Sequence, residues 1–497
     1  MIENSAENVT EKLYTKSTVN LKEFTGAYLV SFAVLSERFS FWGLQAVMVL
    51  FLMHDFSQSE KNAFTLVGSF GALSYALSLL GGVLADKLLG VWESCRLGLA
   101  LCLMGNSILI FSHGIVSLNV GLACILVGAG LFSPSSNTMI RMLYEKKRYL
   151  KESGFLISCV AGNISGALAP LIYGIFGEKG LWHDAFLISA LLNCFSLVLF
   201  FNYSSYFFRE CGEELSQNSH PYFGKIIAFI FIVISLWLLL YSNWLNIILL
   251  SAIIPLFLLI FRLYRQLSLH ERQRIHFIFL LTIILLLFYI AVFQIYSSLT
   301  MFIEHYVNRN FMKWIIPVPA FASLQCVFFI LCAPIVERVF VFFRKKGYSP
   351  SLLVKVPFGL VIGTVGFLLF ASGEWKAQQF GSCGIEWIVS GNFFLGLGEV
   401  FLYPPILTAI ASFSPKRFAG TFMGVFSISL ALASYFSGQF AKMITDSFMI
   451  SVQQNESVFQ LVYGRVAMSL IGIAVISSVI FLYFSKWYHG QEKLVSG

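Results

Sequence analysis

The sequence predicts an all-α polytopic membrane protein. Of its 497 residues, 58% are hydrophobic and only 12% are charged, whereas a soluble protein carries about 25% charged residues. The hydrophobic residues gather in long runs, and about 20 apolar residues suffice for one helix to cross a bilayer. We therefore expect membrane-spanning helices along most of the chain.

The apolar runs form two sets of six, with two further runs between them, which gives 14 expected spans. We expect an N-terminal six-helix bundle at 24–206, with runs at 24–53, 62–88, 93–113, 116–143, 152–177 and 184–206. A linker at 207–274 holds the inserted pair, at 223–242 and 244–264. A C-terminal bundle at 275–486 has runs at 275–305, 314–342, 351–373, 385–412, 417–444 and 458–486. Short tails, 1–23 and 487–497, complete the chain.

Six plus six is the arrangement of transporters that are built from two related bundles around a site near the membrane midplane. The two inserted runs carry no ionisable group at their centres. We therefore expect the inserted pair at the periphery, outside any substrate pathway.

The distribution of basic residues predicts the orientation of the chain. The net charge is +8, and the basic residues concentrate in loops that share one side, at 141–151, 262–274, 344–346 and 416–417. The positive-inside rule assigns such loops to the cytoplasm, which places both termini there. The same distribution argues against a nucleic-acid partner, because the positive charge sets topology.

Nothing in the sequence favours an enzyme or a metal site. The nine cysteines include no Cys-x-x-Cys pair and no Cys/His cluster with metal-ligand spacing. Neither a Ser/His/Asp set nor a pair of catalytic aspartates is evident. We expect no catalytic residues, no bound metal and no cofactor.

Three ionisable residues lie deep in the apolar runs: Glu37 and Arg38 in the first, and Glu399 in the tenth if the inserted pair is left uncounted. Each charge costs about 2.5–3.5 kcal/mol at bilayer depth on insertion scales, so such residues are functional candidates by default. The alternative for Glu37 and Arg38 is a structural ion pair within the bundle. Glu399 has no obvious partner in the sequence.

Helical spacing places an arginine among aromatic residues. One face of the first run carries, at intervals of three and four, Val34, Arg38, Phe41 and Gln45. Glu37 borders this face, and Trp42 lies one turn from Arg38. An arginine can bind a carboxylate through two parallel hydrogen bonds. This face therefore indicates a site for a carboxylate, although an aromatic stripe alone is more often packing.

The run Glu37-Arg38-Phe39-Ser40-Phe41-Trp42-Gly43 resembles the first-helix motif of the proton-dependent oligopeptide transporter (POT) family of the major facilitator superfamily. An ordered series of further segments also resembles that family: Tyr75 with 81–86, 128–134, Asn163, 182–186, 294–299, 316–317, 333–334, 398–399, 415–417 and 423–424. The inserted helix pair is typical of bacterial members. The chain is therefore similar to a divergent bacterial member of this family.

The resemblance implies a major facilitator fold of 6+6 helices and inward, proton-coupled uptake of di- or tripeptides or related zwitterions by alternating access. It implies a bacterial inner membrane, the proton gradient as energy source, and a monomer whose partners are lipid, protons and a peptide or amino-acid-like substrate. Arg38 would bind the substrate carboxylate, Glu399 and Asn163 would meet its amino end, and Tyr75 would line the pocket. The remaining expected substrate-binding residues are Phe41, Trp42, Gln45, Ser133, Gln294, Gln325 and Phe426.

The chain departs from the family where charge is usual. Val34 replaces a glutamate, Ser133 a lysine, Phe293 an acid, and Gln45 an arginine. The loss of the lysine leaves Glu399 without its usual partner, so we expect Glu399 to be the main proton carrier, neutral when the site is empty. Glu37 is the second candidate, although Arg38 should hold it ionised. The more apolar pocket predicts a narrower or more apolar range of substrates than generic dipeptides.

Three further residues are candidates for gating. Pro404 and Pro405 interrupt a run and predict a bent helix, with a passive packing kink as the alternative. Asp86 would clamp the cytoplasmic gate, or would merely cap the next helix.

Two other functions stay open. One is a narrow transporter of amino acids or metabolites with altered or absent proton coupling, and the other is a non-transporting sensor on the same fold.

Overall fold

The protein is two helical bundles in series, as seen in a computed structural model. The structure describes residues 25–145, 148–211, 221–241, 268–311, 314–346, 351–414 and 419–454, and positions 463, 466, 469–476 and 480. Several predictions lie outside these residues: both tails, the inserted run 244–264, most of the run 458–486 and the motif at 415–417.

The first bundle contains six long helices. They are α1 (Thr25–His54), α2 (Glu60–Leu84, continued by a π-helical turn at Ala85–Leu89), α3 (Val91–Ile110), α4 (Ile115–Leu143), α5 (Arg148–Glu178) and α6 (Trp182–Asn202). The α2 helix begins at a serine cap, because the Ser59 side chain accepts a hydrogen bond from the backbone N–H of Asn62 at 3.4 Å. A short helix, α7 (Ser204–Cys211), follows α6.

The second bundle follows the one described helix of the inserted pair, α8 (Pro221–Leu240). Its elements are α9 (Leu269–Val292), a 3-10 turn (Phe293–Tyr296), α10 (Ser298–Tyr306), α11 (Ala320–Lys345), α12 (Leu352–Phe380), α13 (Ile385–Phe413) and α14 (Ala419–Gln454). The α9 helix starts at a capping box, in which Ser268 and Glu271 exchange hydrogen bonds between side chain and backbone.

Four two-residue strands lie between these helices. They are β1 (Val307–Asn308), β2 (Asn310–Phe311), β3 (Trp314–Ile315) and β4 (Cys383–Gly384). Strand β1 pairs with β4 in parallel, and β2 pairs with β3 in antiparallel fashion. These short ladders fix the connections after α10 and before α13.

The expected spans are confirmed for most of the chain. Within the described residues, eleven helices are long and apolar enough to cross a membrane, and they coincide with eleven of the 14 predicted runs. A twelfth run, 417–444, corresponds to α14. The other two lie wholly or mostly outside the described residues.

Two predicted runs differ from the structure. The run 275–305 is interrupted, because the 3-10 turn separates α9 from α10 and Ser297 has φ −137° and ψ −99°. The run 314–342 begins too early. Its first residues form β3, and α11 starts only at Ala320, since Pro317 and Pro319 lack the N–H groups that a continuing helix would need.

The two bundles contact each other along two helix pairs, α2 with α14 and α5 with α11. In the first pair the backbones approach so closely that a Cβ on Gly68 would lie 3.0 Å from Cα of Gly438. Beside the second pair, a Cβ on Gly174 of α5 would lie 2.7 Å from the side chain of Pro317, which precedes α11. Glycine is required at both positions, because any side chain would push the bundles apart.

An arginine links the bundles at the end that the positive-inside rule assigns to the non-cytoplasmic side. Arg309, between β1 and β2, forms ion pairs with Glu178 at the end of α5 and with Glu304 of α10, the latter at 3.6 Å. Its Nη1 also donates a hydrogen bond to the Ile316 carbonyl oxygen at 3.1 Å. At this end of the molecule, which we call the outer end, an ion pair therefore joins the two bundles.

Candidate functional site

Arg38 lies in the middle of α1 and reaches α4. Its Nε is 3.3 Å from Oε2 of Glu37, and its Nη2 donates a hydrogen bond to the Ser133 hydroxyl at 2.6 Å. The guanidinium carbon lies 5.9 Å from the centre of the Phe41 ring, within cation–π range. The Arg38 side chain is still 29% exposed. Its guanidinium group is therefore oriented by its neighbours and yet open to a ligand on one side.

Glu37 points into the first bundle, because successive helical residues face different directions. Its side chain is only 1% exposed, and it lies within Coulombic range of Cys102 on α3. Among the described residues none donates a hydrogen bond to its carboxylate oxygens. Glu37 and Arg38 therefore form an ion pair without a hydrogen bond. A role for Glu37 in carrying protons stays a prediction.

Glu399 lies on α13, in the second bundle, and both of its oxygens accept hydrogen bonds. The Tyr289 hydroxyl donates to Oε1 at 2.6 Å, and Nε2 of Gln325 donates to Oε2 at 2.9 Å. Glu399 is therefore hydrogen-bonded, although it lacks the lysine partner that is usual in the family. It has two partners, but both are neutral, as the loss of a lysine at Ser133 allows.

Two tyrosines lie near both the cation and the carboxylate. Tyr75 of α2 and Tyr403 of α13 each lie within Coulombic range of both Arg38 and Glu399. Their hydroxyl groups can donate to a carboxylate or accept from an ammonium group. We call the following residues the interbundle site: Arg38, Tyr75, Ser133, Tyr289, Gln325, Glu399 and Tyr403.

Aromatic rings surround the interbundle site on both sides. In the first bundle Phe41 contacts Trp42 with ring centres 5.1 Å apart, and Trp42 stacks on Tyr296 of the second bundle at 6.2 Å. The further neighbouring pairs are Tyr75–Phe293 at 6.3 Å, Tyr289–Phe293 at 5.3 Å, Tyr289–Tyr403 at 6.2 Å and Tyr403–Phe426 at 6.0 Å. This wall is suited to apolar groups that lie between two charged ends.

Tyr289, Tyr296 and Tyr403 were not predicted as site residues. A signal was present for each of them. Tyr289, Phe293 and Tyr296 recur at intervals of four and three, and Tyr403 follows Glu399 by four residues, so each set shares one helical face. Within such apolar runs, however, a tyrosine cannot be distinguished from a packing residue.

Three predicted site residues make other contacts. Asn163 donates to the Cys159 carbonyl oxygen of its own helix at 2.9 Å. The Gln294 side chain is buried and donates to the Ser437 hydroxyl of α14 at 2.9 Å, which ties two helices together. Gln45 is buried facing Gly71 of α2, which lies against Ser434 of α14. Contact of these three residues with a substrate stays a prediction.

Of the predicted gating residues, Asp86 lies away from the interbundle site, whereas Pro404 and Pro405 lie on α13, the helix that carries Glu399. Asp86 is exposed in the π-helical turn that ends α2, four residues before Gly90, whose φ is +81°. Helix α13 continues through Pro404 and Pro405, just beyond Glu399. The gating roles of these residues stay predictions.

The interbundle site can recognise a small molecule with two opposite charges. A cation from the first bundle and a carboxylate from the second complement a carboxylate and an ammonium group, respectively. Among the described residues no three His, Cys, Asp or Glu side chains approach closely enough to hold a metal ion. The chemistry on hand is therefore hydrogen bonding, charge pairing and proton exchange at carboxyl groups.

Most of the chain matches one family model. Residues 95–459 match the model PTR2, described as the POT family. A dipeptide and tripeptide permease A of Serratia proteamaculans is 27% identical over 452 residues, which cover 88% of this chain and 87% of that protein. The permease of the same description from Pectobacterium carotovorum is 25% identical over 456 residues, covering 89% and 87%.

Solved structures share the fold. A POT peptide transporter in complex with sulfate superposes with a TM-score of 0.80 at 22% identity, covering 93% of this chain and 95% of that one. A POT family transporter in complex with 5-aminolevulinic acid gives a TM-score of 0.78 at 22% identity, covering 93% and 96%. The predicted major facilitator fold is confirmed.

Proposed function

The chain belongs to the POT family, and on this premise we propose that it is a secondary transporter that takes up small peptides or related zwitterions together with protons. The observation that carries the proposal is the division of charge between the bundles. Arg38 belongs to the first bundle and Glu399 to the second, and Tyr75 and Tyr403 lie near both. A zwitterion that contacts both would draw the bundles together, which is how a ligand stabilises one state of an alternating-access cycle.

Glu399 is the proposed proton carrier. When the site is empty, the described partners of Glu399 are neutral, so a bound proton removes a charge that is costly inside a membrane. When a substrate ammonium group arrives, the ionised carboxylate becomes favourable, and the proton is released. Proton and substrate binding would thereby be coupled at one residue.

The remaining parts of the proposal concern the setting of the protein. We place it in the bacterial inner membrane, with both termini cytoplasmic, as a monomer with no cofactor and no enzymatic activity. The bundles would be 24–206 and 275–486, separated by the linker 207–274. The first inserted helix, α8, packs against α4 and α2 of the first bundle, in support of a peripheral position.

A proteoliposome assay distinguishes a transporter from a non-transporting sensor on the same fold. Protein reconstituted into vesicles is given an inward pH gradient and a labelled dipeptide. Accumulation above the external concentration, abolished by an uncoupler, supports proton-coupled transport. Uptake that stops at equal concentrations and ignores the uncoupler indicates facilitated diffusion instead. Ligand binding without uptake indicates a sensor.

Substrate preference follows from the aromatic wall. Arg38 is the cation of the interbundle site, and the rings around it offer no partner for a second charge. We expect dipeptides with apolar side chains to compete for uptake at least about tenfold better than those with a charged side chain, because an unpaired buried charge costs several kcal/mol. A competition panel that pairs Ala-Phe with Ala-Lys and Ala-Glu measures this. Equal competition by all three would contradict the expectation.

The outer end must open during an alternating-access cycle, and Arg309 should oppose the opening. We expect Arg309→Gln to speed hydrogen exchange in residues 298–311 about tenfold, because a hydrogen bond to a charged group contributes about 1.5–3 kcal/mol and about 1.4 kcal/mol is a factor of ten. The matched control is Arg344→Gln, which removes an exposed ion pair to Glu337 within α11 alone. Equal hydrogen-exchange rates in both variants would count against a role of Arg309 in opposing the opening of the outer end.

A further inference from the structure

Tyr289 and Gln325 hold Glu399 in chemically different ways. Both come from the second bundle, from α9 and α11, and each contacts one carboxylate oxygen, at 2.6 Å and 2.9 Å respectively. The Gln325 nitrogen is only a donor, whereas a hydroxyl both donates and accepts. The two partners are therefore not equivalent when the charge of Glu399 changes.

The Tyr289 side chain is fixed in place by its neighbours. It is 7% exposed, and its ring packs against Phe288, Phe293 and Tyr403 at centre distances of 5.8, 5.3 and 6.2 Å. Held in this way, the hydroxyl oxygen stays beside Glu399 whichever way its hydrogen points. Rotation of the O–H bond is then the only movement that a change in hydrogen bonding requires.

We infer that Tyr289 is a positioning residue that keeps Glu399 hydrogen-bonded in both of its protonation states. Toward the carboxylate, Tyr289 donates to Oε1. Toward the carboxylic acid, the hydrogen on Oε1 is donated to the tyrosine oxygen, while Gln325 still donates to Oε2. Glu399 can thus gain and lose a proton without leaving its place, a property that depends on the hydroxyl and that the proposed function would use.

The other described groups near Glu399 make no hydroxyl hydrogen bond to its carboxyl group. Four further groups lie within Coulombic range of it, namely Tyr75, Tyr296, Tyr403 and Cys326. Arg38 lies within the same range of Tyr75 and Tyr403. From α12 the contact beside it is backbone, where a Cβ on Gly398 would lie 2.9 Å from the Gly359 oxygen. From α14, Phe426 contacts Tyr403. In the described structure Tyr289 is the hydroxyl that is bonded to the carboxyl group.

The test is a titration of the Glu399 carboxyl group in three forms of the purified full chain. Infrared difference spectra report the C=O stretch of the protonated acid, and the band is assigned by its loss in Glu399→Gln. The variants are Tyr289→Phe and, as matched control, Tyr173→Phe, which removes the hydroxyl of a buried tyrosine of α5 that is hydrogen-bonded to Ser189 of α6 at 2.6 Å. Thermal unfolding of each variant checks that it is folded.

We expect the midpoint of the band titration to rise by about one pH unit in Tyr289→Phe, which is a tenfold change in the proton equilibrium, because the bond to the ionised carboxylate is the stronger one. The band itself should also move to higher frequency, since the acid loses its partner. Tyr173→Phe should leave both unchanged. The same midpoint in all three forms, or an equal shift in both variants, would overturn the inference.

This readout does not depend on transport. If the wild-type protein fails to accumulate a dipeptide but Tyr289→Phe shifts the titration, the proposed function is wrong and the positioning role stands. If the wild type accumulates the dipeptide while the titration is unmoved, the proposed function stands and the positioning role is wrong.

Discussion

Substitution of Arg38 by glutamine is expected to lower the uptake rate of a dipeptide, at limiting concentration, by about 30-fold or more. Loss of one partner of a desolvated charge pair costs about 2–5 kcal/mol, and about 1.4 kcal/mol is a factor of ten. The effect should be large because the guanidinium group is the cation of the interbundle site and is oriented toward a ligand by Ser133 and Glu37. Binding should weaken to a similar degree in a thermal-shift titration.

Two companion variants make this result specific. Arg96→Gln removes a partly buried arginine of the same bundle, which pairs with Glu93 at 3.1 Å and lies outside the interbundle site, and it should leave uptake within about twofold of the wild type. Arg38→Lys keeps the charge but loses the planar fork, so its rate should fall between those of the wild type and Arg38→Gln. Wild-type uptake by Arg38→Gln would exclude Arg38 as the carboxylate anchor.

Substitution of Glu399 by glutamine is expected to abolish uphill accumulation of substrate. Uptake of substrate down its own concentration gradient should persist. Glutamine keeps the shape of the side chain and can still bond to Tyr289 and Gln325, but it cannot carry a proton. The pH dependence of the remaining flux should be flat. Affinity should also fall about tenfold or more, because the ammonium group loses a charge-assisted hydrogen bond.

The matched control for Glu399 is Glu374→Gln. Glu374 is also a carboxyl inside a long apolar helix, α12, and is 0% exposed, but it lies near Tyr463 and is not part of the interbundle site. We expect it to keep coupling. Glu37→Gln tests the second proton-carrier candidate, and retained coupling there would leave Glu399 as the carrier. Uphill accumulation with full pH dependence in Glu399→Gln would reject that role.

Charged residues in apolar runs were the part of the site that the sequence could predict. Glu37, Arg38 and Glu399 stand out because a charge at bilayer depth is costly and is retained only for a reason. The spans were predictable for a related reason, since a helix must present about 20 apolar residues to cross the bilayer. Both predictions depend on local composition alone.

The partners of Glu399 were not predictable in the same way. Gln325 was named only through the resemblance to a family, and Tyr289 was not named at all. They lie 74 and 110 residues from Glu399 in the sequence, so their meeting depends on how α9, α11 and α13 pack. A tyrosine in an apolar run carries no signal that distinguishes a hydrogen-bonding role from packing.

The outer ion pair of Arg309 and Glu178 was missed for a similar reason. The two residues are 131 positions apart. In the sequence both lie between apolar runs, where a charged residue is usually solvated. The break at Ser297 was also missed, because hydrophobic periodicity continues through it. For the ion pair, the information resides in the docking of one bundle on the other.

Proton coupling at Glu399 is decided by uptake of a labelled dipeptide into proteoliposomes under an imposed inward pH gradient, with wild type and Glu399→Gln measured side by side. We expect uncoupler-sensitive accumulation above the external concentration for the wild type and only equilibration for Glu399→Gln. Equal accumulation by both proteins, or none by the wild type although it binds the peptide, would contradict this expectation.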